Sequence, residues 1–120
     1  MTLALAATAA ACGGGDDSAP PGSATAMSRG EQIARQRGCA GCHGGNFGGA
    51  SGPGWIGLAG SEVELDDGTV VVADEAYLTR AITDPSAERR DGYSLKMPAN
   101  DLSDAEVADI VAYIQSLADG

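Results

Sequence analysis

Two cysteines and the single histidine of the chain stand together in Cys39-Ala40-Gly41-Cys42-His43. Thiols three positions apart can each add to a vinyl group of one haem, and a histidine directly after them can bind the iron through its imidazole. The C-x-x-C-H spacing is typical of this covalent attachment. The pattern therefore predicts one haem c, attached through Cys39 and Cys42 and ligated by His43.

The same residue types also occur in other sites. Two cysteines at this spacing form a redox dithiol in thioredoxin-like proteins, which place it in a βαβ context. They also form part of zinc sites, which need a fourth ligand or an open catalytic position. The one remaining cysteine, Cys12, lies in an N-terminal segment that has its own interpretation. Both alternatives rank behind haem attachment.

The composition limits the size of the fold and the class of partner. The 120 residues suffice for one small domain, and one Phe, one Trp and three Tyr give a sparse core to which a haem would add a large apolar body. The 17 acidic and 7 basic residues give a net charge of −10. This balance argues against nucleic acid and against a basic membrane-binding patch, and it fits a positively charged protein partner.

The N-terminal segment has the features of an export signal. Residues 1–11 are mostly Leu, Ala and Thr, too few to span a bilayer, and small residues precede Cys12. We therefore expect residues 1–12 to be a bacterial lipoprotein signal with Cys12 as the lipidated residue; plain cleavage is the alternative. Residues 13–27 lack an apolar period and are expected to be a disordered Gly/Ser/Pro linker. The expected location is the periplasm or the outer face of the cytoplasmic membrane.

The folded domain is expected to cover residues 28–120. Ser28 with Glu31 three positions later has the spacing of a capping box, which predicts a helix over 29–37. Gly30 would leave room for a second helix to cross closely.

Two later helices are predicted from their end signals. Asp74 can cap one helix, which Pro85 ends. Ser103 with Glu106 forms a second capping box, and the apolar period continues over Leu102 to Leu117.

A short hairpin is predicted between the haem motif and these helices. Val63 and Leu65 alternate with acidic residues, an Asp67-Gly68 turn follows, and the next segment is rich in valine.

A second motif follows the first by about ten residues. Gly52-Pro53 and, a few residues on, Gly57-Leu58 stand at this distance from His43. The combination resembles class I c-type cytochromes. The resemblance implies an all-α cytochrome c fold, with three to four helices around one covalent haem and here a small β-hairpin insertion.

The resemblance also implies roles for side chains near the haem. The carbonyl of Pro53 would accept a hydrogen bond from the second nitrogen of His43, which orients the imidazole and raises its basicity. Trp55 and Leu58 would line the haem. An alternative for Trp55 is a core aromatic whose N–H meets a backbone carbonyl.

The sixth iron ligand is expected from a methionine, because the lone histidine is already used. Of the three methionines, Met1 lies in the signal and Met27 precedes the first helix. Met97 lies in Lys96-Met97-Pro98, the setting that the family uses, and a thioether ligand raises the reduction potential. Lys96 is a second candidate if the loop is mobile, and a buried Met without an iron bond is the plain alternative.

The order of segments from Gly38 to Leu117 resembles one branch more closely. This branch is the cytochrome c domain fused to subunit II of some bacterial haem-copper oxidases. The likeness concerns the domain type alone.

The resemblance implies one-electron transfer, a function in which no side chain needs to act as an acid or a base. The resemblance implies redox proteins as partners, with a quinol-oxidising complex as donor and a terminal oxidase as acceptor. Arg89, Arg90 and Lys96 concentrate positive charge on one loop. In the family this loop borders the exposed haem edge, so the three residues are a candidate docking patch.

Two other classes stay open. One is the cytochrome subunit of a periplasmic dehydrogenase, bound through a permanent apolar interface. The other is a haem enzyme or gas sensor with an open sixth site, although peroxidase chemistry uses a distal acid or base and no second histidine exists.

Overall fold

The computed structural model describes residues 23–119. The predicted signal, Cys12 and linker residues 13–22 lie outside this range. The described part is mostly helical with one small antiparallel hairpin, as the sequence predicts. The elements are α1 (Ala24–Gln36), α2 (Cys39–His43), β1 (Glu62–Glu64), β2 (Val70–Val72), α3 (Glu75–Thr83) and α4 (Asp104–Ser116).

Helix α1 begins five residues before the predicted start. Ser23 is its N-cap, with a side-chain oxygen that accepts a hydrogen bond from the backbone N–H of Ala26. The predicted capping box is wrong, because Ser28 lies inside the helix and Glu31 pairs with Arg35 at 3.5 Å instead. The last residues of the predicted linker therefore form the N-cap, Ser23, and the first turn of α1.

Helices α1 and α4 cross closely at Gly30. A Cβ added to this glycine would collide with the backbone oxygen of Asp109 and with Tyr113 Cβ, so the two backbones are in direct contact. Beside the crossing, Arg29 Nε lies 3.2 Å from the Asp109 carboxylate. The prediction that Gly30 admits a second helix is confirmed.

The predicted hairpin is present and pairs in one register. Val63 lies opposite Val71, and Glu62 and Glu64 lie opposite Val72 and Val70. Val63 and Leu65 are buried in the core, whereas the Asp67-Gly68 turn is exposed.

The remaining helices keep the predicted caps. The Asp74 carboxylate accepts from the backbone N–H of Tyr77 at 2.7 Å, and α3 ends before Pro85. Ser103 and Glu106 form the predicted capping box of α4. Among the described residues, no helix combines the length and the apolar character that a membrane crossing requires.

The core lies between these helices and the hairpin. Helix α4 packs against both α1 and α3. The core also includes two aromatic side chains from the segment that follows α2, Phe47 and Trp55.

Candidate haem site

The haem motif forms a helix of its own, α2, with a glycine at each end. Gly38 precedes it with a φ of 78°, and Gly44 follows it with a φ of 99°. Both values lie in the left-handed region that glycine adopts without penalty. One turn of helix places Cys39, Cys42 and His43 on adjacent positions of a single short element, with both cysteines free.

The imidazole of His43 is oriented by the backbone of Pro53. The Nδ1 atom lies 2.7 Å from the Pro53 carbonyl oxygen. A carbonyl oxygen only accepts, so Nδ1 carries the proton and donates, which leaves Nε2 as the unprotonated nitrogen. A metal-binding histidine typically has this arrangement, with one nitrogen for the metal and the other hydrogen-bonded.

Gly52 lets the chain pass close to the histidine. A Cβ at this position would lie 3.3 Å from His43 Cε1 and 3.3 Å from the carbonyl oxygen of Cys42. The backbone N–H of Gly52 donates to the same Cys42 carbonyl at 2.7 Å. The residue before Pro53 is therefore fixed against the end of α2, which holds the Pro53 carbonyl in reach of the ring.

Three aromatic residues form a continuous cluster next to His43. The ring centroid of Trp55 lies 5.0 Å from that of His43 and 4.4 Å from that of Phe47, and Tyr113 meets Phe47 edge-on at 5.5 Å. Arg35 covers Phe47 with its guanidinium 5.0 Å from the ring centroid and donates to the Gly45 carbonyl at 2.7 Å. The loop after α2 is thus packed onto α1 and α4.

Burial sets the protonation of two site residues. Desolvation lowers the pKa of His43, although the hydrogen bond to Pro53 opposes this shift. The imidazole is thereby kept neutral, the form that binds a metal. Burial also raises the pKa of the Cys39 thiol, which argues against a reactive redox dithiol, since such thiols have lowered pKa values.

One large cavity collects most of the predicted site residues. It is partly open to solvent and its wall is mostly apolar, as is typical of a pocket for a large apolar ligand. Cys39 is not part of its wall and lies half-buried against the core. The predicted residues that line the cavity are Cys42, His43, Pro53, Trp55, Leu58 and Met97.

The donors and the cavity wall fit a covalent haem. A neutral imidazole and a thioether can bind iron from within one cavity, and two thiols stand at the start and near the end of α2. Apolar side chains from α3 and α4, among them Leu78, Ile82 and Ile114, supply wall surface. Among residues 23–119, no group of three or more His, Cys, Asp and Glu could hold a metal ion, so the zinc alternative lacks further ligands there.

Sequence reasoning missed several residues that shape the site. Phe47, in the loop after α2, is fully buried, and a lone aromatic among glycines was the available signal. Tyr77 is buried and lines the cavity, and burial raises its pKa. Asn100, for which the sequence carries no signal, donates to the Ile82 carbonyl at 2.7 Å.

The comparison with known proteins agrees with this geometry. The sequence model of the family described as Cytochrome c matches residues 27–118. The chain belongs to the cytochrome c family: it has the fold of a haem c protein, and covalently bound haem c and electron transport follow from membership. A search of curated proteins gives no significant match.

Proposed function

We propose that Cys39 and Cys42 hold the haem through thioether bonds and that His43 and Met97 are its axial ligands. The observation that carries this proposal is the 2.7 Å contact between His43 Nδ1 and the Pro53 carbonyl, at the wall of a cavity that Met97 also lines. A histidine with Nδ1 engaged has Nε2 free for iron. A soft thioether from the opposite loop would complete the ligand pair and favour the reduced iron.

The chain would then work as a carrier of single electrons, with no acid or base step. Haem c supplies the one-electron exchange. Pro53 fixes the tautomer of His43, and Trp55 packs against the imidazole. Leu58 lines the same cavity and would help to exclude water from the haem. These roles require a rigid wall, which the stack of Trp55 on Phe47 provides.

We further propose a lipid anchor at Cys12 and a location in the periplasm or at the outer face of the cytoplasmic membrane. The support is the sequence pattern of residues 1–12, since this segment lies outside the described residues. The test is membrane fractionation of cells that express wild type or Cys12→Ala. A lipid anchor predicts a membrane-bound wild type and a soluble variant, whereas equal distribution would argue for simple cleavage.

The proposed partners are a quinol-oxidising complex as donor and a terminal oxidase as acceptor. The likeness of residues 38–117 to the cytochrome c domain of haem-copper oxidase subunit II supports the acceptor. The proposed docking patch consists of Arg89, Arg90 and Lys96, which all line the cavity. Arg89 also forms an exposed ion pair with Asp66 at 3.6 Å, a weak contact that an acidic partner could replace.

The decisive experiment is Met97→Ala in the exported haem protein. Loss of the sulfur-to-iron band in the near infrared, a lower reduction potential and carbon monoxide binding to the reduced form are expected. Met27→Ala is the matched control, because Met27 lies on α1 and is not part of the cavity wall. A wild type that already lacks the band and binds carbon monoxide would instead indicate an open sixth site, as in a haem enzyme or gas sensor.

The cytochrome subunit of a periplasmic dehydrogenase is the second candidate. It is favoured by Leu95, an apolar side chain on the cavity wall that is 62 % exposed. A permanent subunit would co-purify with its enzyme at high salt. A mobile carrier would dissociate from its partner at high salt.

A further inference from the structure

The segment that carries Met97 has no secondary structure of its own. We name the connection between α3 and α4, residues 84–103, the methionine loop. Residues 93–99 belong to no helix, strand or hydrogen-bonded turn. Met97 lies inside this stretch and is 37 % exposed. The position of its sulfur therefore depends on where the two ends of the stretch are fixed.

The hairpin fixes the first end. The backbone N–H of Asp66 donates to the Arg89 carbonyl at 2.8 Å, and the N–H of Asp91 donates to the Glu64 carbonyl at 3.0 Å. Leu65 and Arg90 form an antiparallel bridge between these two bonds. The methionine loop thus pairs with the end of the hairpin like a short third strand.

Side chains reinforce the same end. Arg89 Nη1 lies 3.6 Å from the Asp66 carboxylate, and Arg80 Nε on α3 donates to Glu88 at 2.6 Å. Both pairs are partly exposed, so we expect them to contribute less than the backbone bonds.

Asn100 fixes the second end. Its side-chain amide donates to the Ile82 carbonyl at 2.7 Å, in the last turn of α3, and its side-chain oxygen accepts from the backbone N–H of Leu102 at 3.2 Å. Met97 lies six residues after Asp91 and three before Asn100. A segment this short, held at both ends, has few ways to move away from the cavity.

We infer that the hairpin, through the backbone of Asp66, and the Asn100 side chain are positioning elements that hold Met97 at the iron. The inference rests on the proposed ligation by Met97. This inference gives the hairpin insertion a function. The methionine loop pairs with the hairpin at one end and is hydrogen-bonded to α3 at the other. Loosening either end would open the sixth site while leaving the helices folded.

Asp66→Pro tests the first end. The Gly68 N–H donates to the Leu65 carbonyl at 3.0 Å, so Asp66 occupies the second position of a turn, where proline is favoured. Proline at this position removes the backbone N–H that donates to the Arg89 carbonyl, and the turn itself is retained. Asp66→Ala is the matched control, because it removes the carboxylate and keeps the N–H.

Asn100→Asp tests the second end independently. The aspartate keeps an oxygen for the Leu102 N–H but has no N–H for Ile82. It also serves as the second variant should Asp66→Pro fail to fold.

The readouts are the near-infrared sulfur-to-iron band of the oxidised protein and the rate of carbon monoxide binding to the reduced protein. We expect Asp66→Pro and Asn100→Asp each to weaken the band and to speed carbon monoxide binding about fivefold, the effect of one net hydrogen bond on an equilibrium. Asp66→Ala is expected to stay close to wild type.

A variant that lowers stability elsewhere separates positioning from general loosening. Val107→Ala truncates a buried side chain of α4 that is not part of the cavity wall. Val107→Ala should lower the melting temperature and leave the sulfur-to-iron band and the rate of carbon monoxide binding unchanged. The inference is overturned if both loop variants keep the wild-type band and rate, or if Val107→Ala changes them equally. A wild type without the band overturns the proposed ligation instead, so the two failures are distinguishable.

Discussion

The rings of Phe47 and Trp55 stack face to face, with centroids 4.4 Å apart and planes 9° from parallel. Trp55 in turn lies against His43, so Phe47 supports the histidine indirectly, through Trp55. Phe47 holds a φ of 58°, a conformation that is costly for a bulky residue. The packing of its ring must compensate for this strain, and through Trp55 it connects the core to His43, the proposed iron ligand.

Phe47→Ala should therefore destabilise the protein strongly. Removal of a fully buried Phe side chain typically costs about 3–5 kcal/mol, because transfer free energy is lost and a cavity remains. The free energy of unfolding, measured in denaturant with the haem bound, checks this. Ile56→Ala is the control: the side chain is 43 % exposed, and we expect a change within about 0.5 kcal/mol. Equal losses in both variants would contradict the role given to Phe47.

Gly30→Ala should weaken the crossing of α1 and α4. Alanine is the better helix former by about 1 kcal/mol, yet its Cβ would overlap the Asp109 backbone, and such overpacking typically costs about 1–3 kcal/mol. We expect a net loss of stability in chemical unfolding. Gly45→Ala is the matched control, since a Cβ there meets nothing within 4 Å. If Gly30→Ala were more stable than wild type, α1 and α4 would be able to move apart without a loss of stability.

Local structure could be predicted from the sequence where a local signal and the packing agree. The C-x-x-C-H motif, the Asp67-Gly68 turn and the Ser103 cap each determine their structure within a few residues, and the structure has all three elements. The start of α1 was misplaced because two serines compete for the cap. Ser23 is the cap that the structure uses, and the turn after it buries Ala26, which the sequence pattern does not indicate.

Longer-range pairing explains the other residues that escaped prediction. The bond from Asn100 to Ile82 and the bridge between Leu65 and Arg90 join segments that are distant along the chain. Neither has a periodic pattern or a cap to indicate it. The candidate ligands could be read from residue types, whereas the contacts that hold Met97 in place required the fold.

The ion pairs of Arg37 should make the stability of the protein depend on pH in the acid range. Its hydrogen bond at 2.6 Å lowers the pKa of Asp101, and the pKa of Glu106 is lowered by the Ser103 backbone N–H and, to a lesser extent, by Arg37. Folded pKa values below the unfolded ones mean that the unfolded chain takes up protons first as pH falls. The stability from these pairs is therefore present at neutral pH and is lost below about pH 4.5.

Arg37→Gln should thus be less stable than wild type at neutral pH and converge with it in acid. The measurement is the melting temperature of both proteins from pH 7 to pH 3 at low salt. High salt should narrow the neutral-pH gap, because the pairs are exposed. A gap that is the same at every pH would show that Arg37 acts through packing alone.

Gly52→Ala should disturb His43 without changing the side chains of Cys39 and Cys42, the proposed attachment points of the haem. The new methyl group would lie 3.3 Å from His43 Cε1, closer than such contacts usually are, so the ring or the Pro53 segment must shift. A weaker bond from Nδ1 to the Pro53 carbonyl makes the imidazole less basic, which stabilises the oxidised iron less. We expect the reduction potential to rise by on the order of 40 mV, the one-electron equivalent of about 1 kcal/mol. Gly45→Ala, with open space around its Cβ, should leave the potential unchanged. An unchanged or lowered potential in Gly52→Ala, with haem content intact, would contradict the role of Gly52 in orienting His43.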